Sequence, residues 1–126
     1  MDEEVKKILV VDDEKLIREI VTRIAQKRGA TVTALPHGND TPKVMQNTVF
    51  DLAVVDLLMP ETSGWDVIQM IRSDPKNKKI PIIILSGTKI SAEEKAKLLE
   101  TVNAVVNKTN FTLHGFESIV DSCSIV

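Results

Sequence analysis

Residues 50 to 60 read FDLAVVDLLMP, a nearly unbroken apolar run that ends in an aspartate, Asp56, with leucines on its far side. A run of this kind suits a strand buried on both faces, as the strands of a helix-covered parallel sheet are. Four more runs flank it: KILVV (7 to 11), TVTAL (31 to 35), IPIIIL (80 to 85) and NAVV (103 to 106). The segments between them change to helical period. Leu16, Ile17, Ile20, Val21, Ile24 and Ala25 recur on one helix face, and Gly29 stands where a helix C′ glycine belongs. A weaker helix is expected over 38 to 47, with Pro42 confined to its first turn and Val44 and Met45 left to pack. From about 64 to 73, Val67, Ile68 and Ile71 share a face, and Ser91 and Glu94 have capping-box spacing at the start of another helix. The last helix is expected from about 113 to 123, presenting Phe116, Ile119, Val120 and Cys123. Five successive β-α units predict a doubly wound α/β fold, an open parallel sheet with helices on both faces.

The 126 residues, 43% hydrophobic and 27% charged, suit one globular domain over 1 to 126, with no repeat, low-complexity tract or linker to divide it. A formal net charge of −2 lacks the basic excess of a nucleic-acid surface, so no nucleic-acid partner is expected. The one lysine-rich stretch, KNKK (76 to 79), reads as a solvated loop. The acidic opening MDEEVKKILVV does not resemble a signal peptide, and no stretch approaches the ~18 apolar residues of a membrane span, so no membrane insertion is expected. A single cysteine, Cys123, precludes an internal disulfide and suits a reducing compartment, which makes the cytoplasm the expected location. Cys123 itself reads as a packed helical thiol.

In doubly wound sheets, ligands gather at the carboxyl ends of the strands. The first run ends in Asp12 and Asp13, the third in Asp56, the fourth in Ser86 followed by Gly87, and the fifth leads through Asn107 to Lys108. Three carboxylates against one ammonium leave this edge negative, and crowded carboxylates raise one another's pKa values. A divalent cation would cancel that charge. With oxygen donors alone and no His or Cys at these positions, Mg²⁺ is the expected cation and Mn²⁺ the alternative. The same set offers an aspartate poised as nucleophile, a cation and a lysine to neutralise a phosphoryl group, and a hydroxyl to bond one of its oxygens. Each residue also has a plainer use. Asp12 or Asp13 could cap the helix near Lys15, Asp56 could face a loop, Ser86 could serve the turn at Gly87, and Lys108 could be a solvated amine. Their meeting at one edge favours a site. Trp65 reads as helix packing, and His37 and His114 as isolated surface residues.

Taken together, ILVVDDE (8 to 14), FDLAVVDLLMPETSGWDVI (50 to 68), IPIIILSG (80 to 87) and Lys108 resemble the receiver domain of two-component response regulators. The resemblance spans about the whole chain and is most specific in D-x-x-M-P-x-x-x-G, matched by Asp56, Met59, Pro60 and Gly64. It implies a flavodoxin-like (βα)5 fold with strand order 2-1-3-4-5. It further implies that Asp56 accepts a phosphoryl group from a phosphohistidine, carried by a histidine kinase or a histidine phosphotransfer protein. Asp13, Asp56 and the backbone carbonyl of Leu58 would bind Mg²⁺ directly, and Asp12 through a coordinated water. Ser86 would hydrogen-bond the phosphoryl oxygen, and Lys108 would pair with the phosphoaspartate. Such a domain is a signalling acceptor that sheds its phosphate by self-hydrolysis, not a conventional enzyme. The alternative is a receiver-fold interaction module that binds partners irrespective of phosphorylation.

Some positions depart from the family pattern. Lys108 is followed by Thr109 where the family usually has proline, so a trans peptide and a different path after the fifth strand are expected. Val105 stands where the family usually has a Tyr or Phe that moves inward on activation, and a buried valine cannot swing in that way. Leu58 and Thr88 occupy the positions that tune hydrolysis of the acyl phosphate. Leu58 is expected to shield Asp56 from water, so that a Leu58→Asn variant loses phosphate faster. The stretch SAEEKAKLLETVNAVVNKTNF (91 to 111) resembles receivers at the C-terminal end of hybrid sensor kinases. The chain therefore reads as an excised module or a free-standing regulator, with output through a downstream protein partner docked at about residues 91 to 123.

Overall fold

A computed structural model describes residues 5 to 123, so expectations for the chain's first four residues lie outside it. Five parallel strands, β1 (Lys7–Val11), β2 (Thr31–Leu35), β3 (Leu52–Asp56), β4 (Ile82–Ser86) and β5 (Ala104–Asn107), form one sheet in the order β2-β1-β3-β4-β5. The connecting helices are α1 (Lys15–Lys27), α2 (Thr41–Met45), α3 (Gly64–Arg72), α4 (Ala92–Leu98) and α5 (Leu113–Ser122), with short 3-10 turns at Gly38–Asp40 and Lys108–Asn110. The doubly wound reading and its strand order both hold.

Alternate residues of each central strand serve opposite faces. Leu9, Val11, Ala53, Val55, Ile82 and Ile84 pack with Met45 of α2, Val67, Ile68 and Ile71 of α3, and Leu98 of α4. Ile8, Val10, Leu52, Val54, Ile83 and Leu85 pack instead with Ile17, Val21 and Ile24 of α1 and Phe116 and Val120 of α5. Every residue of β3 and β4 is buried. That is why their sequences show no polar alternation, and each aliphatic side chain so enclosed contributes about 1.5–3 kcal/mol.

The helix ends follow local chemistry. Gly29 adopts φ 75°, and the N–H groups of Gly29 and Ala30 return to the carbonyls of Gln26 and Ala25, closing α1 in a Schellman motif. Ser63 and Asp66 form a reciprocal capping box on α3, while at α4 Ser91 accepts from the Glu94 N–H. The segment expected to be helical over 38 to 47 is shorter, a 3-10 turn followed by the five residues of α2. Cys123 follows α5 and is buried as expected, and burial pushes its thiol pKa up. At the lower end of α1, Arg28 makes a two-pronged contact with Asp121 (2.6 and 3.0 Å) and reaches Glu117 (3.4 Å), holding α5 against α1.

The strands β3, β4 and β5 begin one or two residues later than the apolar runs and end one residue beyond them. The missing starts have other partners. The Phe50 N–H donates to Asn77 Oδ1 (2.7 Å), Pro81 has no N–H, and the Asn103 side chain accepts from the Ile82 N–H (3.0 Å). Asn77 also donates through Nδ2 to the Thr48 carbonyl (3.0 Å) and to Asp74 (2.8 Å). The KNKK stretch is thus only partly the solvated loop expected of it. Its lysines are exposed, but Asn77 is fully buried and ties its own loop to the segment that leads into β3. Val105 is a second correction. β5 lies at the end of the sheet order and is half-buried along its length, so Val105 is partly exposed where a buried valine was expected.

Candidate functional site

Because β1 and β3 are adjacent and β2 lies on the other side of β1, the sheet reverses direction of winding between them. This is where a crevice opens in doubly wound folds. Asp12 leaves β1 there and Asp56 ends β3 there, so the ladder delivers two carboxylates to neighbouring positions. Asp12 is fully buried and Asp56 is 3% exposed, whereas Asp13 faces solvent. Ligand oxygens of Asp12, Asp13 and Asp56 all lie within 4.8 Å of one another.

Lys108 reaches this cluster from the far strand. Its Nζ lies 3.0 Å from Asp12 Oδ2 and 3.3 Å from Asp56 Oδ2, and it donates to Asp12 Oδ1 (3.3 Å) and to Glu14 Oε1. Only 11% of the lysine side chain is exposed. Burial alone would favour the neutral amine, but the bonds to Glu14 and Asp12 and the charges of Asp12 and Asp56 outweigh it, holding the ammonium above the usual lysine range. The carboxyl pKa values rise as well, which for an acid favours the neutral form. Burial pushes Asp56 up to about 7, with the Asp12 charge adding to the rise and Lys108 opposing it. Burial also raises Asp12, against the bonds it accepts from the Glu14 N–H (2.8 Å) and Lys108. Asp12 Oδ2 is buried and is held by the Lys108 ammonium as an ion pair, outside hydrogen-bond geometry.

The loop after β3 explains its motif. Gly64, the first residue of α3, donates its N–H to the Leu57 carbonyl (2.7 Å), and a Cβ there would stand 2.5 Å from the Asp56 carbonyl oxygen and 2.6 Å from Leu57 Cα. Only glycine permits so close an approach, so α3 rests directly on the main chain of the aspartate. Between them Glu61 takes φ 70°, and the Thr62 N–H returns to the Pro60 carbonyl (2.8 Å), the bond of a γ-turn. This turn is clasped to the loop after β2, where Asn39 donates to Glu61 (3.2 Å) and accepts from the Thr62 hydroxyl.

A cleft of about 260 Å³ opens over the cluster, lined by Asp13, Glu14, Asp56, Leu58, Gly87, Thr88 and Lys108. Leu58 is 55% exposed on its wall. Asp12, Asp13, Asp56 and Lys108 therefore come together as expected. Ser86 ends β4 and is fully buried, but its hydroxyl donates to the Thr88 carbonyl (2.8 Å) and it lines the adjoining groove beside Val105 and Asn107. The peptide after Lys108 is trans, as expected: no described peptide bond is cis. Trp65 packs partly against the α2-α3-α4 core, as expected. His114 is exposed, but His37 is half-buried with an enclosed, unpartnered Nδ1, so the surface reading holds for only one histidine. Glu14 joins the site through Lys108. Its acidity beside Asp12 and Asp13 was visible, but its grip on a lysine 94 residues away was not.

The family model for the response regulator receiver domain matches residues 8–115. Chemotaxis protein CheY1 of Helicobacter pylori is 32% identical over 103 residues, which cover 80% of this chain and 80% of that protein. The chain spans only 11% to 40% of the length of the first curated relatives that it matches. Among solved structures, chemotaxis protein CheY4 of Vibrio cholerae superposes with a TM-score of 0.85 over 95% of this chain and 99% of that one, at 24% identity, a likeness of fold. The receiver domain of sensor histidine kinase PA1611 from Pseudomonas aeruginosa, described with a magnesium ion coordinated in its active-site cleft, matches at TM-score 0.79 over 94% and 97% of the two chains, at 19% identity. No described helix is long and apolar enough to cross a membrane. The chain belongs to the response regulator receiver domain family of two-component systems.

Proposed function

We propose that this chain, over residues 1 to 126, is a phosphoacceptor receiver domain that takes a phosphoryl group from a phosphohistidine onto Asp56. The observation that carries the reading is the sharing of one ammonium, Lys108, by Asp12 and Asp56, at the point where three carboxylates converge. In the transfer, an Asp56 oxygen forms a bond to phosphorus as the bond from phosphorus to the donor imidazole breaks, and the imidazole leaves with the electron pair. Lys108 is already held where charge gathers on the incoming oxygens, so it neutralises that charge without reorganising. Ser86 serves a phosphoryl oxygen after its hydroxyl turns from the Thr88 carbonyl. Leu58, on the cleft wall, limits the approach of water to the acyl phosphate.

The donor set fits a hard divalent cation, Mg²⁺ or Mn²⁺. All the converging side-chain ligands are oxygens, and the buried carboxylates Asp12 and Asp56 share the single ammonium of Lys108 between them. Asp13, Asp56 and the Leu58 carbonyl would hold the ion, with Asp12 acting through a bound water. When bound, it supplies positive charge that keeps Asp56 ionised and offsets the phosphoryl oxygens. The expected partners are a histidine kinase or histidine phosphotransfer protein and a downstream protein, in the cytoplasm.

Incubation with Mg²⁺ and acetyl phosphate, read by intact mass, tests this. Wild-type protein should gain one phosphoryl group and Asp56→Asn none. No gain in the wild type with any donor would favour a receiver fold that binds partners irrespective of phosphorylation.

A further inference from the structure

We propose that Asn107 is a positioning residue that fixes the root of Lys108, an inference that rests on the phosphoacceptor reading above. A lysine stem is long and rotatable, and holding its amine among Asp12, Asp56 and Glu14 requires that its own backbone be held first. The strands that carry the carboxylates meet this need by burial: β3 is enclosed along its whole length and β1 along all but its first residue. β5 does not. All four of its residues are half-buried, and among the described residues it has a strand partner only in β4, where Asn107 stands in register with Ser86.

Immediately after β5 the chain enters the 3-10 turn Lys108–Asn110, and the Asn107 side chain closes that turn. Its Oδ1 accepts from the Thr109 N–H (2.8 Å) and from the Thr109 hydroxyl (2.7 Å). These two bonds span Lys108, fixing the residue before it to the residue after it. The stem then passes over Gly87, where a Cβ would lie 4.0 Å from Lys108 Cδ, and the amine arrives at the carboxylates. Asn107 touches no reacting atom. It acts by setting where the stem begins, and a small error there becomes a large error at Nζ.

Asn107→Ala removes the acceptor and Asn107→Ser keeps a neutral one. Lys108 accessibility is read by acetylation with acetic anhydride and peptide mass spectrometry, with exposed Lys43 as internal reference. Wild-type Lys108 should be protected relative to Lys43. In Asn107→Ala its labelling should rise several-fold while that of Lys43 stays constant, and Asn107→Ser should restore most of the protection. The maximal rate of phosphorylation by acetyl phosphate should fall about ten-fold in Asn107→Ala, with the half-saturating donor concentration unchanged. Unchanged Lys108 labelling in Asn107→Ala, or equal deprotection in the alanine and serine variants, would overturn the proposal. A wild type that takes no phosphoryl group would sink the proposed function, and labelling alone would then decide the role of Asn107.

Discussion

The two ends of the sheet handle polar groups in opposite ways. At the amino ends of the strands, side chains are matched to backbone. Asn77 bonds Phe50 and Thr48, Asn103 bonds Ile82, Asp51 accepts from the Lys7 N–H (2.8 Å), and Arg72 spreads its guanidinium over the carbonyls of Thr101, Lys78 and Ile80. At the carboxyl ends, like charges crowd, Asp56 is pushed up to about 7, Asp12 and Asp56 share one ammonium, and His37 Nδ1 and Thr41 Oγ1, buried without partners among the described residues, lie in the connection that leaves that end after β2. One edge secures the loops and the other stores unsatisfied charge. Stability and chemistry are therefore separable by position, since an edge that satisfied its carboxylates internally would have nothing left to offer a cation or a phosphoryl group.

That separation can be broken by substitution. Lys108→Ala removes the ammonium from the carboxyl edge and should slow phosphorylation by acetyl phosphate about 100-fold, measured by mass against time. Asn77→Ala at the opposite edge should cost about 3 kcal/mol in denaturant unfolding, because it leaves the buried Phe50 N–H unpaired, yet keep the phosphorylation rate near that of the wild type. If Asn77→Ala slowed phosphorylation as strongly as Lys108→Ala, the two edges would not be independent.

A pH series sharpens the contrast. Between 3.8, the ordinary value for an aspartate, and about 7, folded Asp56 keeps a proton that the unfolded chain has released. Its contribution to stability therefore falls as pH rises through that window, and above it the buried charge is a full penalty. Without divalent cations, Asp56→Asn should stabilise the fold at pH 8 by about 1–2 kcal/mol after solvent screening, with almost no gain at pH 4. An equal gain at both values would show that the carboxyl is not strained by burial. Smallest of all, Thr41→Val replaces a buried, unpartnered hydroxyl by a methyl of similar size and should raise stability by about 1 kcal/mol in thermal unfolding.

How far each edge can be read from sequence differs for the same reason. The three central strands are legible because enclosure on both faces leaves aliphatic residues alone between their ends, and the carboxyl-edge residues are legible because they directly follow such runs. Asp12, Asp13, Asp56 and Lys108 meet where the order of elements requires. Asn77 was hidden because nothing local separates a buried asparagine from the exposed lysines beside it; its partners lie 27 and 29 residues away. Glu14 was hidden in the same way by its distance from Lys108. The half-exposure of Val105 depends on β5 having a strand partner on one side only, a property of the assembled sheet and not of the AVVN run. The Ser86 hydroxyl is a matter of rotamer, which the residue type leaves open.

The contact of Gly64 with the main chain of Asp56 and Leu57 also makes the molecule its own gauge. No side chain lies between α3 and the aspartate to absorb a displacement, so an electronic or geometric change at Asp56 reaches the Gly64 amide across a single bond to Leu57. The chain has five glycines, and one of the others, Gly87, sits under the Lys108 stem. Glycine-selective ¹⁵N labelling would give a sparse spectrum in which two signals flank the site, able to follow ion binding, phosphorylation and the return to rest without any attached probe.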